Sequence, residues 1–395
     1  MTKISPQEAL QRITSQTGRR KAKGKPAEYV RTVDGSVFLF RRGGEGIVAP
    51  ADDELPAMLG ECEDGDFTSD LPPVVEDWLQ DYASEVTYHQ GGDYIIEDTP
   101  EEKATSRKTI PAMVKAKWNQ LAPYNDRLKF PEYPDKCMVG CVAVTIGQIM
   151  QYWGSRDYKR GCTATSLYKW SSGKVTVQPL PPITCFDYDH LTPLTPKTKD
   201  EISAVSTMLE YIGKAVKLNY SPTGTGGYMS IYAPLLISRL RLGKTITSIS
   251  ASTLGTEAFA QRIYEDLAQG RPVAMRGSGS AGAHSFLCDG YDAPSDRYHF
   301  NWGWGGKYNG YYAMSALNPR SGYTFNSNKQ AVVGIQPEYK LYDANDDGDI
   351  SLADVMTIND NIMAGKYDEK SDVNSDGKVS MADTEQVVSQ ILKQK

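Results

Sequence analysis

Asp135-Lys-Cys-Met-Val-Gly-Cys141-Val-Ala-Val-Thr-Ile-Gly-Gln-Ile-Met-Gln-Tyr-Trp153 decides how this chain is read, because it passes from a loop into a helix at Cys141. After Gly140 the apolar residues Val142, Ile146, Ile149, Met150 and Trp153 recur at three- and four-residue steps, which predicts one packed helical face. Cys141 then falls in the first helical turn, where unpaired N–H groups carry roughly half a positive charge and lower a thiol pKa toward the thiolate. A buried cysteine is more often a small hydrophobe than a nucleophile, so position alone leaves both readings open.

Far downstream lie Ala281-Gly-Ala-His284-Ser-Phe-Leu-Cys-Asp-Gly290 and Tyr298-His-Phe-Asn301-Trp302-Gly-Trp-Gly-Gly306. Cysteine first, histidine much later, then Asn and Trp is the chain order of papain-like peptidases, in which the imidazole activates the thiol and a later residue orients the ring. A rival reading gathers Cys137, Cys141, His284 and Cys288 as four ligands for tetrahedral zinc. That spacing is not a common zinc pattern, and it leaves Gln120 and Asn301 unexplained.

Four separated motifs, taken in order, resemble the streptopain and interpain group of secreted bacterial cysteine peptidases. They are Lys117-Trp-Asn-Gln120-Leu-Ala-Pro-Tyr-Asn125, then Gly140-Cys141-Val-Ala with Gln148-Ile-Met-Gln-Tyr152 behind it, then Gly282-Ala-His284-Ser-Phe, then Asn301-Trp-Gly-Trp-Gly-Gly306. The resemblance spans residues 1–336. It implies Cys141 as nucleophile, His284 as its partner, Gln120 as side-chain oxyanion donor and Trp302 as the aromatic beside the histidine. Asn301 and Trp302 share the task of orienting His284, and the sequence does not separate them. The other histidines, His89, His190 and His299, read as structural. The glycine-rich Ser221-Pro-Thr-Gly-Thr-Gly226-Gly227 is comparable to a loop that lines the substrate groove in those relatives, so Ser221, Gly226, Gly227 and Ala283 are the expected subsite residues.

The fold class expected from these pieces is α+β, with three successive domains. Residues 1–103 read as a small α+β inhibitory prodomain, 104–336 as a papain-like cysteine peptidase domain and 339–395 as an all-α, dockerin-like calcium-binding module. Within the first segment, Ser5-Pro-Gln-Glu8 carries the marks of a helix start. The runs 28–33, 36–40 and 46–50, separated by Asp34-Gly35 and Gly43-Gly44, predict hairpins. A second helix is expected over 71–83. The polar stretch 97–108 suits proteolytic nicking, and the maturation cut is expected within 103–108. Helices are also expected over 237–242 and 259–267.

In the last segment, Asp343, Asn345, Asp347, Ser351 and Asp354 occupy the first, third, fifth, ninth and twelfth positions of a calcium loop, with Gly348 at the sixth. Asp349 supplies the seventh position, where a main-chain carbonyl ligates. Asp372, Asn374, Asp376, Lys378, Ser380 and Asp383 repeat the set around Gly377. Asp at the twelfth position, with apolar helices mainly after each loop, resembles a dockerin module, which implies a cohesin-like or cell-surface partner. Two structural calcium ions are expected, and no cofactor for catalysis.

A net charge of −6 without a clustered basic face argues against a nucleic-acid partner. No run of 18 or more apolar residues is long enough to span a membrane. The six cysteines are sparse over 395 residues, and no essential disulfide is expected. Met1-Thr-Lys-Ile-Ser lacks an apolar core, so no signal peptide is expected within the sequence. Because the resembled family is exported, a removed leader and a secreted or cell-surface bacterial location are expected. The function that follows is a cysteine endopeptidase made as an autoinhibited zymogen and acting on protein or peptide substrates. The alternative is an inactive papain-like scaffold that docks through its calcium module.

Overall fold

The structure, a computed structural model, describes residues 3–17, 26–91, 107–227, 232–279, 282–316 and 329–393. Chain contacts divide it into two compact units. One joins Met1–Lys117 to Ser248–Val333, and the other joins Trp118–Thr247 to Gly334–Lys395. The division cuts across the linear order: the N-terminal segment goes with His284, and the C-terminal segment goes with Cys141.

In chain order the helices are α1 (Pro6–Thr17), α2 (Pro73–Gln90), α3 (Cys141–Gly154), α4 (Lys199–Ala215), α5 (Tyr232–Leu240), α6 (Ala251–Leu254), α7 (Thr256–Ala268), α8 (Leu352–Met363) and α9 (Met381–Lys393). The strands are β1 (Glu28–Val33), β2 (Val37–Arg42), β3 (Glu45–Pro50), β4 (Gly60–Cys62), β5 (Trp170–Ser172), β6 (Val175–Val177), β7 (Thr247–Ser250), β8 (Val273–Gly279), β9 (Gly282–Asp292), β10 (Arg297–Asn301), β11 (Gly310–Tyr312) and β12 (Gln330–Val333).

The first unit is built on a ten-stranded sheet in the order β1-β2-β3-β4-β11-β10-β9-β8-β12-β7. Its opening helix is capped as the sequence predicts, with Ser5 Oγ accepting Glu8 N–H and the Glu8 carboxylate accepting Ser5 N–H. Asp34 and Gly35 both take positive φ, 41° and 71°, the geometry that lets a two-residue turn follow strand twist from β1 to β2. What the sequence does not reveal is that β4 pairs antiparallel with β11, Gly310 opposite Cys62 and Tyr312 opposite Gly60. The strands of the N-terminal segment thus continue the sheet that carries His284.

Helix α2 runs past its expected end at residue 83 to Gln90 and buries Trp78, Leu79, Tyr82, Ala83 and Val86. One core holds these residues together with Phe286, Tyr298, Phe300, Trp302 and Tyr312. Trp78 meets Phe286, Phe300 and Trp302 edge-on, with centroids 5.6, 4.9 and 6.0 Å apart. Two buried charges reinforce the same helix. Glu85 accepts Ser315 Oγ at 2.7 Å and Ala316 N–H, while Lys329 Nζ lies 4.0 Å from the Trp78 ring centroid and donates to Met314 O.

The second unit is mainly helical. Nearly every residue of α3 is buried, which its predominantly apolar sequence demands. A Cβ at Gly147 would stand 2.8 Å from Leu209 of α4 and 3.0 Å from Trp118, so a hydrogen at that position is what lets the two helices close. Thr198 and Glu201 form a capping box at the start of α4. The helix expected through residue 242 stops at Leu240, because Arg241 turns left-handed with φ of 51°. In the C-terminal segment, α8 and α9 each follow one acidic loop and share a small core of Leu341, Ala344, Ile358, Val373 and Val387.

Candidate active site

Cys141 is the first residue of α3, and Gly140 before it has φ of 88° and ψ of 134°, a conformation essentially reserved for glycine. A Cβ on Gly140 would also come within 2.9 Å of Thr225 Cγ2, 3.0 Å of Thr225 O and 3.1 Å of Leu218 Cδ1. The chain therefore turns abruptly into the helix and leaves the thiol over its first turn. No acidic residue sits in that turn to oppose the helix field.

The segment expected to supply the oxyanion donor is held in the same unit. Gln120 is buried, and its carbonyl accepts Val139 N–H at 3.0 Å, two residues before Cys141. Gln148, two turns along α3 from Cys141, accepts Trp118 N–H through Oε1 at 3.2 Å. Asn125 Nδ2 donates to Cys137 O at 3.0 Å. Gln120 is thus registered to Cys141 from both sides. Sequence reading quoted Gln148 and Asn125 without giving either a role, although the seven-residue step from 141 to 148 places both side chains on one helix face.

Of the predicted subsite residues, Ser221 accepts Met138 N–H through its carbonyl at 3.1 Å, and Gly226 pairs with Asn219. A Cβ at Gly226 would meet nothing within 4 Å, whereas one at Gly227 would stand 2.6 Å from Tyr232 Oη. Ala283 lies in the other unit, exposed on β9 opposite Ser278.

In that first unit His284 stands on β9 opposite Gly277 of β8. It shares a sheet face with Phe286 and thus with the α2 side of the sheet. Its Nε2 is buried without a hydrogen-bond partner among the described residues. Burial lowers the imidazole pKa below its ordinary 6.5, and the Asp77 carboxylate on α2 pulls it back up. Asp77 is a neighbour that no sequence pattern announced.

Asn301 faces Leu287 in register, so its side chain leaves the sheet on the face opposite His284. Its Nδ2 donates to Ala116 O at 2.7 Å, and its Oδ1 accepts Gly303 N–H at 3.1 Å. Trp302 is buried, tilted against Phe286 at 4.7 Å, and donates from Nε1 to Tyr308 O at 2.9 Å. Asn301 thus bonds the main chain at Ala116 and Gly303, and Trp302 packs in the core beneath α2.

The remaining histidines have local carboxylate partners: His89 with Asp52 at 2.9 Å, His190 with Asp187 at 2.7 Å and His299 with Asp289 at 2.6 Å. All six cysteines are reduced. Burial pushes the thiols of Cys62, Cys137 and Cys185 up to about 11 and that of Cys162 to about 12, and it raises that of Cys288 well above its ordinary value, so these five are poor nucleophiles at neutral pH. The expected maturation stretch 103–108 lies outside the described residues except at its end, and that end is anchored rather than loose. Arg107 donates to Gln261 Oε1 at 2.6 Å and lies over the Tyr264 and Tyr291 rings, and Lys108 N–H donates to Tyr264 Oη at 2.8 Å.

The two acidic loops share most of their hydrogen bonds. Asp343 accepts Asp347 and Gly348 N–H, and Asp354 accepts Ala344, Asn345 and Ser351 N–H. Asp372 accepts Asp376 and Gly377 N–H, and Asp383 accepts Asn374 and Ser380 N–H. Asn345, Asp347, Asn374 and Asp376 bond within the turns, and Ser351 and Ser380 cap the following helices. Asp343, Asp354, Asp372 and Asp383 are all buried, yet among the described residues no basic side chain pairs with Asp343, Asp354 or Asp383. Buried carboxylates without a counter-cation suit a hard divalent ion, as does the all-oxygen donor set. Among the described residues no cluster of three His, Cys, Asp or Glu closes on one point, so each set needs the Asn, Ser and carbonyl oxygens that a calcium loop uses.

A cysteine at a helix start, a buried glutamine whose main chain is bonded near it and a histidine on a separate strand are residue types that cysteine-type peptidases use, and the chain is similar to such enzymes. Residues 118–312 match the Peptidase C10 family, which supports a cysteine-type peptidase. The thiol protease/hemagglutinin PrtT of Porphyromonas gingivalis is 26% identical over 339 residues, which cover 76% of this chain but only 37% of that protein. Streptopain of Streptococcus pyogenes is 25% identical over 327 residues, covering 76% of this chain and 80% of streptopain. The mixed α/β fold is similar to that of a prointerpain A fragment from Prevotella intermedia, with a TM-score of 0.66 and 23% identity over 79% of this chain and 99% of that one. Among the described residues no helix is long and apolar enough to cross a membrane.

Proposed function

We propose that this chain is a secreted cysteine endopeptidase made as an autoinhibited zymogen. The observation that carries the reading is Cys141 at the head of α3 behind the left-handed Gly140, with Gln120 bonded to Val139 in the same unit. In the proposed reaction the Cys141 thiolate attacks a peptide carbonyl, and His284 gives its proton to the leaving amine. The Cys141 N–H and the Gln120 side-chain amide meet the oxyanion, and water then hydrolyses the thioester.

Latency is supported by α2 of the N-terminal segment, which sets Trp78 on Trp302 and Asp77 near His284, and by likeness to the fold of a pro-form. Removal of that segment would expose the face on which His284 and Trp302 stand. In the C-terminal segment, Asp343, Asn345, Asp347, Asp349, Ser351 and Asp354 would hold one calcium ion, and Asp372, Asn374, Asp376, Lys378, Ser380 and Asp383 a second. Calcium there neutralises buried carboxylates and has no part in the chemistry. The module's resemblance to dockerins supports a cohesin-like or surface partner.

Mass spectrometry of the full chain and of Cys141→Ala after long incubation tests the reading. The unaltered chain should lose its N-terminal segment and then digest an unfolded protein, while the variant keeps its mass. Cys141 should also react selectively with an epoxide thiol reagent at about pH 5, where ordinary thiols are protonated. An unaltered chain that keeps its full mass, spares the unfolded protein and resists the reagent would instead favour the scaffold reading.

A further inference from the structure

The two acidic loops differ at their first aspartate. Among the described residues Asp343 of the first loop accepts main-chain N–H groups of its own turn, whereas Asp372 of the second is also gripped by Arg241, which follows α5. Arg241 Nη1 donates to Asp372 O at 2.8 Å and Nη2 to Asp372 Oδ2 at 3.1 Å, and Tyr367 Oη donates to the same Oδ2 at 3.1 Å. Asp372 is buried, with none of its side chain exposed, and Arg241 is mostly covered, with 12% exposed. Such a charge-assisted fork is strong and orientation-specific. Because it includes a main-chain carbonyl, it depends on the loop's conformation as well as its charge.

Around this contact the same two segments meet repeatedly. Arg160 is buried, donates to Tyr339 O and to Arg241 O, and lies 4.7 Å from the centroid of the Tyr339 ring. Lys244 N–H donates to Glu338 Oε1 at 2.8 Å, and its Nζ stands 3.3 Å from Glu369. Cys185 packs against the small core beneath α8 and α9. The C-terminal segment is therefore joined to the unit that carries Cys141 by buried polar and apolar contacts, where a merely tethered module would have a solvated linker.

We propose that the second acidic loop is a calcium-responsive clamp on the peptidase itself: once calcium orders residues 372–383, the loop grips Arg241 and stabilises residues 236–246 of the nucleophile-bearing unit. The inference rests on the calcium reading above and adds to it a target within the same chain. Linkage makes the effect reciprocal, since whatever order calcium lends to the grip, the grip returns as affinity for calcium.

Hydrogen exchange followed by mass spectrometry on the full-length Cys141→Ala chain, in calcium and in chelator, reads both segments at once. Calcium should slow exchange in 372–383, and should also slow it in 236–246 by about tenfold, within the usual range for coupled sites. Arg241→Ala on that background should keep the first response and lose the second. Asp383→Asn, which leaves Arg241 and Asp372 in place, should lose both. A calcium response in 236–246 that survives either substitution, or that is absent before substitution, overturns the clamp while leaving the calcium reading intact. Exchange in 343–354 and 372–383 that ignores calcium overturns the calcium reading, and the clamp falls with it.

Discussion

At the scale of single residues, the backbone geometry at Cys141 is set by its neighbours. Gly140 takes a backbone conformation that other residues adopt only at a cost of about 1–3 kcal/mol, and Thr225 and Leu218 leave its Cβ no room. Gly140→Ala is therefore expected to lower stability by about that amount and to slow alkylation of Cys141, read by denaturant unfolding and by the rate of thiol labelling. Gln120 has a different task, since its main chain is already fixed to Val139. In the matured enzyme Gln120→Ala should lower kcat by about 10²–10³, the usual effect of losing one oxyanion donor, and leave the rate of Cys141 alkylation nearly unchanged. Equal losses in both rates would mean that Gln120 shapes the loop and does not meet the oxyanion.

At the scale of elements, α2 packs on the sheet face of β9 that carries His284 and Phe286. His284 sits on the α2 side of the sheet, with its pKa lowered by burial and partly restored by Asp77. The folded ring therefore titrates below 6.5, the value expected once the chain unfolds. Below about pH 6.5 the unfolded chain binds more protons than the folded one, so this residue makes stability fall as pH falls. Thermal unfolding of the Cys141→Ala zymogen across that range should show a shallower loss of stability in the additional variant His284→Gln. An unchanged slope would assign the acid sensitivity to other groups. The element that sequence reading most underestimated is β4, a three-residue strand flanked by acidic turns whose pairing with β11 no local pattern could announce. Sheet neighbours distant in sequence are chosen by which edge remains unpaired after folding, and short strands carry little periodicity.

At the scale of the whole molecule, the expected site residues fall into two units. Cys141, Gln120 and the acidic loops belong to one, and His284, Asn301 and Trp302 to the other. The acidic loops make a separate prediction. Calorimetric titration should count two calcium ions for the unaltered chain and one for Asp354→Ala, because that carboxylate orders its own loop through three N–H groups and has no role in the second. Two ions bound by the variant would remove Asp354 from the ligand set.

The sequence by itself determined the local structures whose signals are local. The capped start of α1, the left-handed turn at Asp34-Gly35, the amphipathic run behind Cys141 and the twice-repeated acidic loop were all legible, because helix caps, φ preferences and ligand offsets act over a few residues. The candidate site was legible as a set of residue types in order. Its present arrangement was not, since Asn301 turns to Ala116 and Gly303, and His284 answers to Asp77 of a distant helix. Only the tertiary structure decided that the N-terminal segment completes the sheet of the histidine unit and that Arg241 reaches Asp372. Those choices depend on the burial and pairing of groups far apart in the chain, for which a linear pattern carries no signal.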